Sequence, residues 1–413
     1  MKYGIAALAT LLMLSRAVMA ENGVPTTVRV ATFNIQELSW KKLQPQDGGQ
    51  AGTHPQLQAA AGIIQTIRPD VLLINEIDYS EPASPSTEAP AGSAAEPAEN
   101  RNAVGSGSTS EGHDVPGAFL QQYLMVGQNG AEPIEYAYRF YAPSNTGVPS
   151  GLDLNGNGKT DEPNDAFGFG RYPGEYGMVL FSRFPLNVSD ARTFRQLLWK
   201  DVPGNLMPDG SGGKPEFYRS TAAAVFRLSS KSHWDVPVQI GGHTIHLLCS
   251  HPTPPIFDGP EDANGRRNFD EIRFWRDYLS SGKDAAWIHD DQNRSGGLDE
   301  KASFVILGDL NADPWRSDPL DGTRAADLIL SHPRVQDPLP ESAGAVSSPD
   351  RSSDAEHRRY RTARFGRLDY ALPSRDLQVT TSAVYWPDAS DPVHESVQKA
   401  SDHRLVWVDL KVP

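Results

Sequence analysis

Apolar residues recur along this chain in short runs, and their spacing predicts many strands and few helices. "VRVATFNI" (28–35) alternates, with Val28, Val30, Thr32 and Asn34 on one side. "QLQAAAGIIQTIR" instead puts Leu57, Ala60, Ala61, Ile64 and Ile67 on one helical stripe that ends before Pro69. "DVLLINEI", "GMVLFSRF", "TAAAVFRL", "HTIHLLCSH", "FVILGDLN", "RLDYALP" and "RLVWVDLKV" read as further strands, and "RRNFDEIRFWRDYLSS" as a helix. This order predicts a single α/β domain over residues 21–413, a sandwich of two packed sheets.

Two stretches fall outside that pattern. Residues 1–20 offer a lysine, a short apolar run and "AVMA", the form of a cleaved secretory leader, so a secreted or periplasmic protein is expected. No other stretch resembles a membrane helix, and no membrane anchor is expected. Residues 80–112 are rich in Pro, Ala, Ser, Gly and Glu and offer little to bury; they are expected to form a disordered insertion.

Composition narrows the function. The chain has 52 acidic residues against 38 basic ones, a net charge of −14. Such a surface argues against a non-specific nucleic-acid coat. It leaves a metal-assisted nuclease open, because a bound divalent ion reverses the local field. Cys249 is alone, which excludes an intrachain disulfide, and it reads as a buried small hydrophobe. Trp234 and Trp407 read as core, and no aromatic–basic interleaving or apolar docking hairpin is read.

The strand ends carry the chemistry. Asn34, Glu76, His251 and Asp309 each close an apolar run, Asn311 follows Asp309 by two, and Asp402–His403 precedes the last run. Asp309 and Asn311 would point the same way in extended chain. Each alone reads as an ordinary polar exit from a strand. Together, carboxylates and amides suit a hard cation, and histidines suit developing negative charge on a phosphoryl group.

In order, "ATFNIQ", "LLINEID", "YGMVLFSRFP", "LLCSHPTPP", "ILGDLNADP", "GRLDYALP" and "SDHRLVWV" resemble the endonuclease/exonuclease/phosphatase superfamily of metal-dependent phosphoesterases, from Val28 to Leu410. The resemblance implies a four-layered α/β sandwich, with two mostly antiparallel sheets flanked by helices. It implies Glu76 as principal ligand of magnesium, or of manganese in its place, with Asn34 and Asp402 close by. Asp309 would orient and deprotonate the attacking water, and Asn311 would hold that water or a phosphate oxygen. His251 and His403 would donate hydrogen bonds to the pentavalent phosphate, with protonated imidazoles stabilising its charge, and Asp369 would orient His403. The implied partner is a phosphoester substrate acted on by a monomer, a small organic phosphate being preferred over a nucleic acid. A catalytically silent binding protein would lack one of these residues, and none is missing.

Some signals stay open between two readings. Arg266 and Arg267 either contact a substrate phosphate or serve as helix-start charges neutralised by Asp262, Asp270 and Glu271. Tyr176 and Arg183 either lie near substrate or pack. "GLDLNGNGKTDEPND" (151–165) places Asp153, Asn155, Asn157 and Asp161 as in a calcium loop, with Asn164 where a bidentate Glu is expected. The other reading is an Asn/Gly-rich turn.

Overall fold

The computed structural model describes residues 27–45, 49–80, 112–280, 282–348 and 356–412. The leader-like residues 1–20 and residues 81–111 of the low-complexity segment lie outside them. The strands in chain order are β1 (Thr27–Leu38), β2 (Val71–Ile77), β3 (Tyr138–Phe140), β4 (Met178–Ser182), β5 (Arg192–Thr193), β6 (His233–Ile240), β7 (His243–Ser250), β8 (Ser303–Asp309), β9 (Asp369–Pro373), β10 (Gln378–Val384) and β11 (Val406–Lys411). They form a six-stranded sheet in the order β10-β11-β1-β2-β4-β3 and a five-stranded sheet in the order β5-β6-β7-β8-β9. Both sheets are mixed: β1–β2 and β7–β8 pair in parallel, and their neighbours pair antiparallel.

The unbroken apolar runs are explained by what covers them. Val30, Leu73 and Leu180 of the first sheet meet Val236, Leu247 and Val305 of the second in the central layer. The outer face of the first sheet, with Phe33, Leu72 and Phe181, lies under the helices Pro55–Ile67 and His394–Ala400. The outer face of the second, with Leu248, Phe304 and Ile306, lies under the helix Ala263–Ser280. The result is a four-layered α/β sandwich. Ile272, Phe274, Trp275, Tyr278 and Leu279 anchor the last helix, each fully buried and contributing roughly 2 kcal/mol of transfer free energy. No helix among the described residues is long and apolar enough to cross a membrane.

Three elements depart from the sequence reading. "TAAAVFRL" is not a strand: Ser220–Ala223 makes one helical turn, consistent with its alanines, before Phe226 and Leu228 enter the core. β6 went unread because Pro237 interrupts it; the strand still pairs with β7 along its whole length. β10 is an edge strand of mostly polar residues and lacks an apolar signature.

Candidate active site

β1, β2, β7 and β8 all end at one mouth of the sandwich, and β9 begins there opposite β8, with Asp309 paired to Asp369. Asn34 joins the two sheets at this mouth. Its Nδ2 donates to Glu76 Oε1 at 3.0 Å and to Asp309 Oδ2 at 3.0 Å, so one amide tethers two carboxylates that would otherwise repel. Its Oδ1 accepts from Gln36 N, and its carbonyl accepts from Ser401 Oγ at 2.7 Å, which brings the loop before β11 to the site. Glu76 Oε2 accepts from Glu37 N at 3.1 Å. Asn75, which sequence reasoning missed, adds a second tie between the sheets, accepting from Thr32 Oγ1 and from Asp309 N.

The backbone here is strained. Gln36, Glu37, Glu76, Tyr176 and Asn311 all have positive φ, from 51° to 64°. Side chains other than glycine enter that region at a cost of about 1–3 kcal/mol, and such residues gather where function fixes geometry. A register shift between Asn34 and Leu38 accompanies the first two.

Asp309, 1% exposed, is the centre of the site. Its Oδ2 lies 3.5 Å from His251 Nε2 and 3.7 Å from His403 Nε2. Burial raises its carboxyl, with Asp369 adding to the effect and His403 opposing it. The two imidazoles differ. Burial, then Lys231 and His403, hold His251 well below the usual histidine range, so it is a neutral donor and not the protonated imidazole expected for both. Burial also disfavours charge on His403, but Asp369 and Asp309 outweigh it and raise His403 well above its ordinary value. His403 Nδ1 lies 2.9 Å from Asp369 Oδ2, which also accepts from Thr362 Oγ1 at 2.7 Å. Asp369 thus fixes the ring as expected.

The other expected residues fall in several places. Asn311 lies beyond β8 with φ 51°, so it does not share an extended face with Asp309. Its N–H instead caps Asp309 Oδ1 at 3.0 Å, and its side-chain amide donates to Pro252 O at 3.1 Å, beside His251. Asp402 is exposed on the turn before His403, and among the described residues its carboxylate hydrogen-bonds only Ser401 Oγ, at 3.5 Å. Tyr176 stands at the rim, its hydroxyl donating to Glu37 Oε1 at 3.0 Å.

Both readings of Arg267 need correction, whereas the charge of Arg266 acts on Asp262, one of the helix-start acids. Arg267 is buried and donates to the carbonyls of Leu228, Phe167, Arg227 and Ser229, so it is a backbone clamp and neither a phosphate ligand nor an ion pair with the helix acids. Arg266 donates its Nε–H to Glu261 O at 3.0 Å. Asp270 and Glu271 serve elsewhere, Asp270 on Trp199 Nε1 and Leu206 N, and Glu271 on Ser230 N and Thr253 N. Arg183 follows β4 at the end of its sheet opposite the mouth and pairs with Asp70 at 3.0 Å.

In the 151–165 loop, Asp153 accepts from Gly156, Asn157 and Gly158 N–H groups, and Asn155 and Asn157 cap Asn157 N and Lys159 N. Glu162 is engaged by Lys159 and Asn157. These contacts order the loop through its own backbone N–H groups and are compatible with either reading. The described residues contain one group of three or more potential metal-ligating side chains, Asp309, Asp369 and His403, with ligand atoms within 4.8 Å of one another. With His403 bonded to Asp369, the oxygen donors left to fit a hard divalent cation are the carboxylate of Glu76, tethered through Asn34, and the exposed carboxylate of Asp402.

Residues 31–403 match the model of the Endonuclease/Exonuclease/phosphatase family. No curated protein matches the chain. Among solved structures, an endonuclease/exonuclease/phosphatase from Beutenbergia cavernae DSM 12333 is 16% identical, with a TM-score of 0.49 and with 94% of this chain and 72% of that chain covered. The human Nocturnin catalytic domain with bound sulfate anion is 14% identical, with a TM-score of 0.42 and 93% of each chain covered. Sphingomyelinase C from Streptomyces griseocarneus is 12% identical, with a TM-score of 0.43 and with 93% of this chain and 99% of that chain covered.

Proposed function

Because the chain belongs to the Endonuclease/Exonuclease/phosphatase family, we propose that it is a divalent-metal-dependent phosphoester hydrolase, exported on the leader-like residues 1–20. The observation that carries this reading is the Asn34 amide joining the carboxylates of Glu76 and Asp309 from opposite sheets, with both imidazole Nε2 atoms facing Asp309 Oδ2.

A phosphoryl group over Asp309 would meet a different function on each side. Asp309 takes the proton of the attacking water, held in place by Asn34 and by the Asn311 N–H. His403, cationic and fixed by Asp369, donates to an equatorial oxygen where charge accumulates. Neutral His251 donates a second hydrogen bond. A magnesium or manganese ion held by Glu76, with Asn34 and Asp402 close by, would supply Lewis acidity toward the phosphoryl oxygens.

Small phosphodiesters or phosphomonoesters are the preferred substrates, in keeping with the acidic surface. A nuclease is the second reading, favoured by the segment 357–367, "HRRYRTARFGR". There Trp315 stacks on His357 at 4.3 Å, exposed Arg364 lies against Phe365, and Ala363 bridges to His403. Such neighbouring aromatic and basic side chains are what a stacked nucleic-acid base would use.

The test is hydrolysis of a chromogenic phosphodiester, the matching monoester and plasmid DNA, each with magnesium, manganese, calcium or a chelator. Chelator-sensitive cleavage of the small diester or monoester is expected. Preference for plasmid DNA would move the substrate to nucleic acid, and no cleavage under any metal would overturn the hydrolase reading in favour of a silent binding protein.

A further inference from the structure

Lys231 lies in the loop before β6, in the stretch "SSKSH", where a lysine reads as surface. It is instead 7% exposed. Because β6 starts where β7 ends, His233 pairs with Ser250, and this loop stands beside His251 at the mouth. It is held there firmly. The Lys231 carbonyl accepts from Asn145 N at 2.9 Å. Glu271 accepts from Ser230 N with one oxygen and from Thr253 N with the other, both at 2.7 Å, clamping the lysine-bearing loop to the histidine-bearing one. Ser230 Oγ also donates to the His251 carbonyl at 3.3 Å.

The side chain so placed has no direct partner. Among the described residues its ammonium makes no hydrogen bond and no ion pair. Glu271, Glu76 and Asp309 are within electrostatic reach, and Lys231 in turn bears on His251. An ammonium set at the mouth with no direct partner is free to meet an anionic ligand there. Beside it, Nδ1 of His251 and Oγ1 of Thr253 are buried and lack partners.

We propose that the Lys231 ammonium binds a non-bridging oxygen of the phosphoryl group, on the β6–β7 side of the site and across from Glu76. This rests on the phosphoester reading of the same site. Glu271 is then a positioning residue, acting through the two loops it clamps. The competing explanation is a lysine that merely balances the charge of the surrounding acids.

The experiment compares the full chain with its Lys231→Met and Lys231→Arg variants, Met keeping the aliphatic stem. For each, kcat and KM are measured on the best small ester, the affinity for inorganic phosphate by calorimetry in the presence of the activating metal, and the melting temperature. Lys231→Met is expected to weaken phosphate binding and to lower kcat/KM by roughly 10- to 100-fold each, the range of one charged hydrogen bond, with Lys231→Arg recovering part of both. Phosphate affinity and kcat/KM within about two-fold of wild type would overturn the proposal, and so would a changed melting temperature with unchanged phosphate binding. Should Lys231→Met fail to fold, a Lys231→Gln variant reads the same phosphate constant. A wild-type protein inert on every ester would sink the hydrolase reading alone, because loss of phosphate binding in the variants would still decide Lys231. A wild type that binds no phosphate would end the proposal too.

Discussion

The two ends of the sandwich treat buried charge in opposite ways. At the end where β1 begins, Arg29 grips Asp409 with two hydrogen bonds of 2.7 Å, lies 4.0 Å over the Trp407 ring, and donates to Ile67 O. Asp70 beside it accepts from Arg29 N and from Arg183. At the other end, where β1 finishes, Asp309 and Glu76 share one amide, Lys231 contacts no counterion among the described residues, and Asp369 Oδ1 is buried without a partner. The first end is arranged so that charges satisfy each other. The second leaves charges without such partners, and that contrast sets the candidate site apart from the rest of the sandwich.

The contrast breaks most visibly if Asp309 is changed. Asp309→Asn is expected to lower kcat/KM by roughly a thousand-fold or more while the melting temperature holds or rises, because a buried, crowded carboxylate is removed; residual activity within ten-fold of wild type would refute its role as base. Arg29→Met should do the reverse, costing about 3–5 kcal/mol in urea unfolding and leaving kcat within about two-fold, since one partner of a largely buried pair is lost. A matching loss of activity would show that the two ends are coupled.

His233 gives a smaller effect with a defined sign. Burial holds its imidazole down to about 4, with Glu271 opposing and Arg267 assisting, and it is bonded to Ser229 Oγ and the Glu271 carbonyl. A histidine depressed in the fold stabilises fully above its unfolded value near 6.5 and loses that contribution as pH falls toward 4, at most about 3 kcal/mol. Unfolding free energies at pH 7.5 and 5 should therefore drop more for wild type than for His233→Gln, and equal drops would refute it. Removing residues 82–110 is expected to change stability by less than about 0.5 kcal/mol and leave activity intact, given how little that segment offers to bury. A larger loss at either end would overturn that reading.

How much of this was legible depended on whether a residue's partner was implied by its neighbours in sequence. β1, β2, β8 and β9 were plain because their apolar runs are covered on both faces; polar exits named Asn34, Glu76 and Asp309, and the family resemblance named Asp369. β6 was hidden by Pro237. Arg267 stayed open between phosphate contact and helix-start charge because sequence shows its charge but not the four carbonyls that receive it. Lys231 was passed over for the converse reason, as nothing local in "SSKSH" signals burial; that comes from Glu271 and Asn145, both distant along the chain. Asn311 was named for the site, but its geometry was misread, because the strand ends two residues earlier than the alternation suggested.

The hydrogen bond from Ser401 to the Asn34 carbonyl joins positions separated by nearly the whole described chain. β11, which follows His403, slots between β10 and β1 and completes the first sheet. During synthesis the emerging polypeptide therefore holds Glu76 and Asp309 long before it holds His403, and the sheet edge at β1 waits open for a strand made last. The candidate site is assembled only when this strand docks, so chains lacking it are expected to leave Asn34 and Asp309 without His403 however well their earlier layers have collapsed.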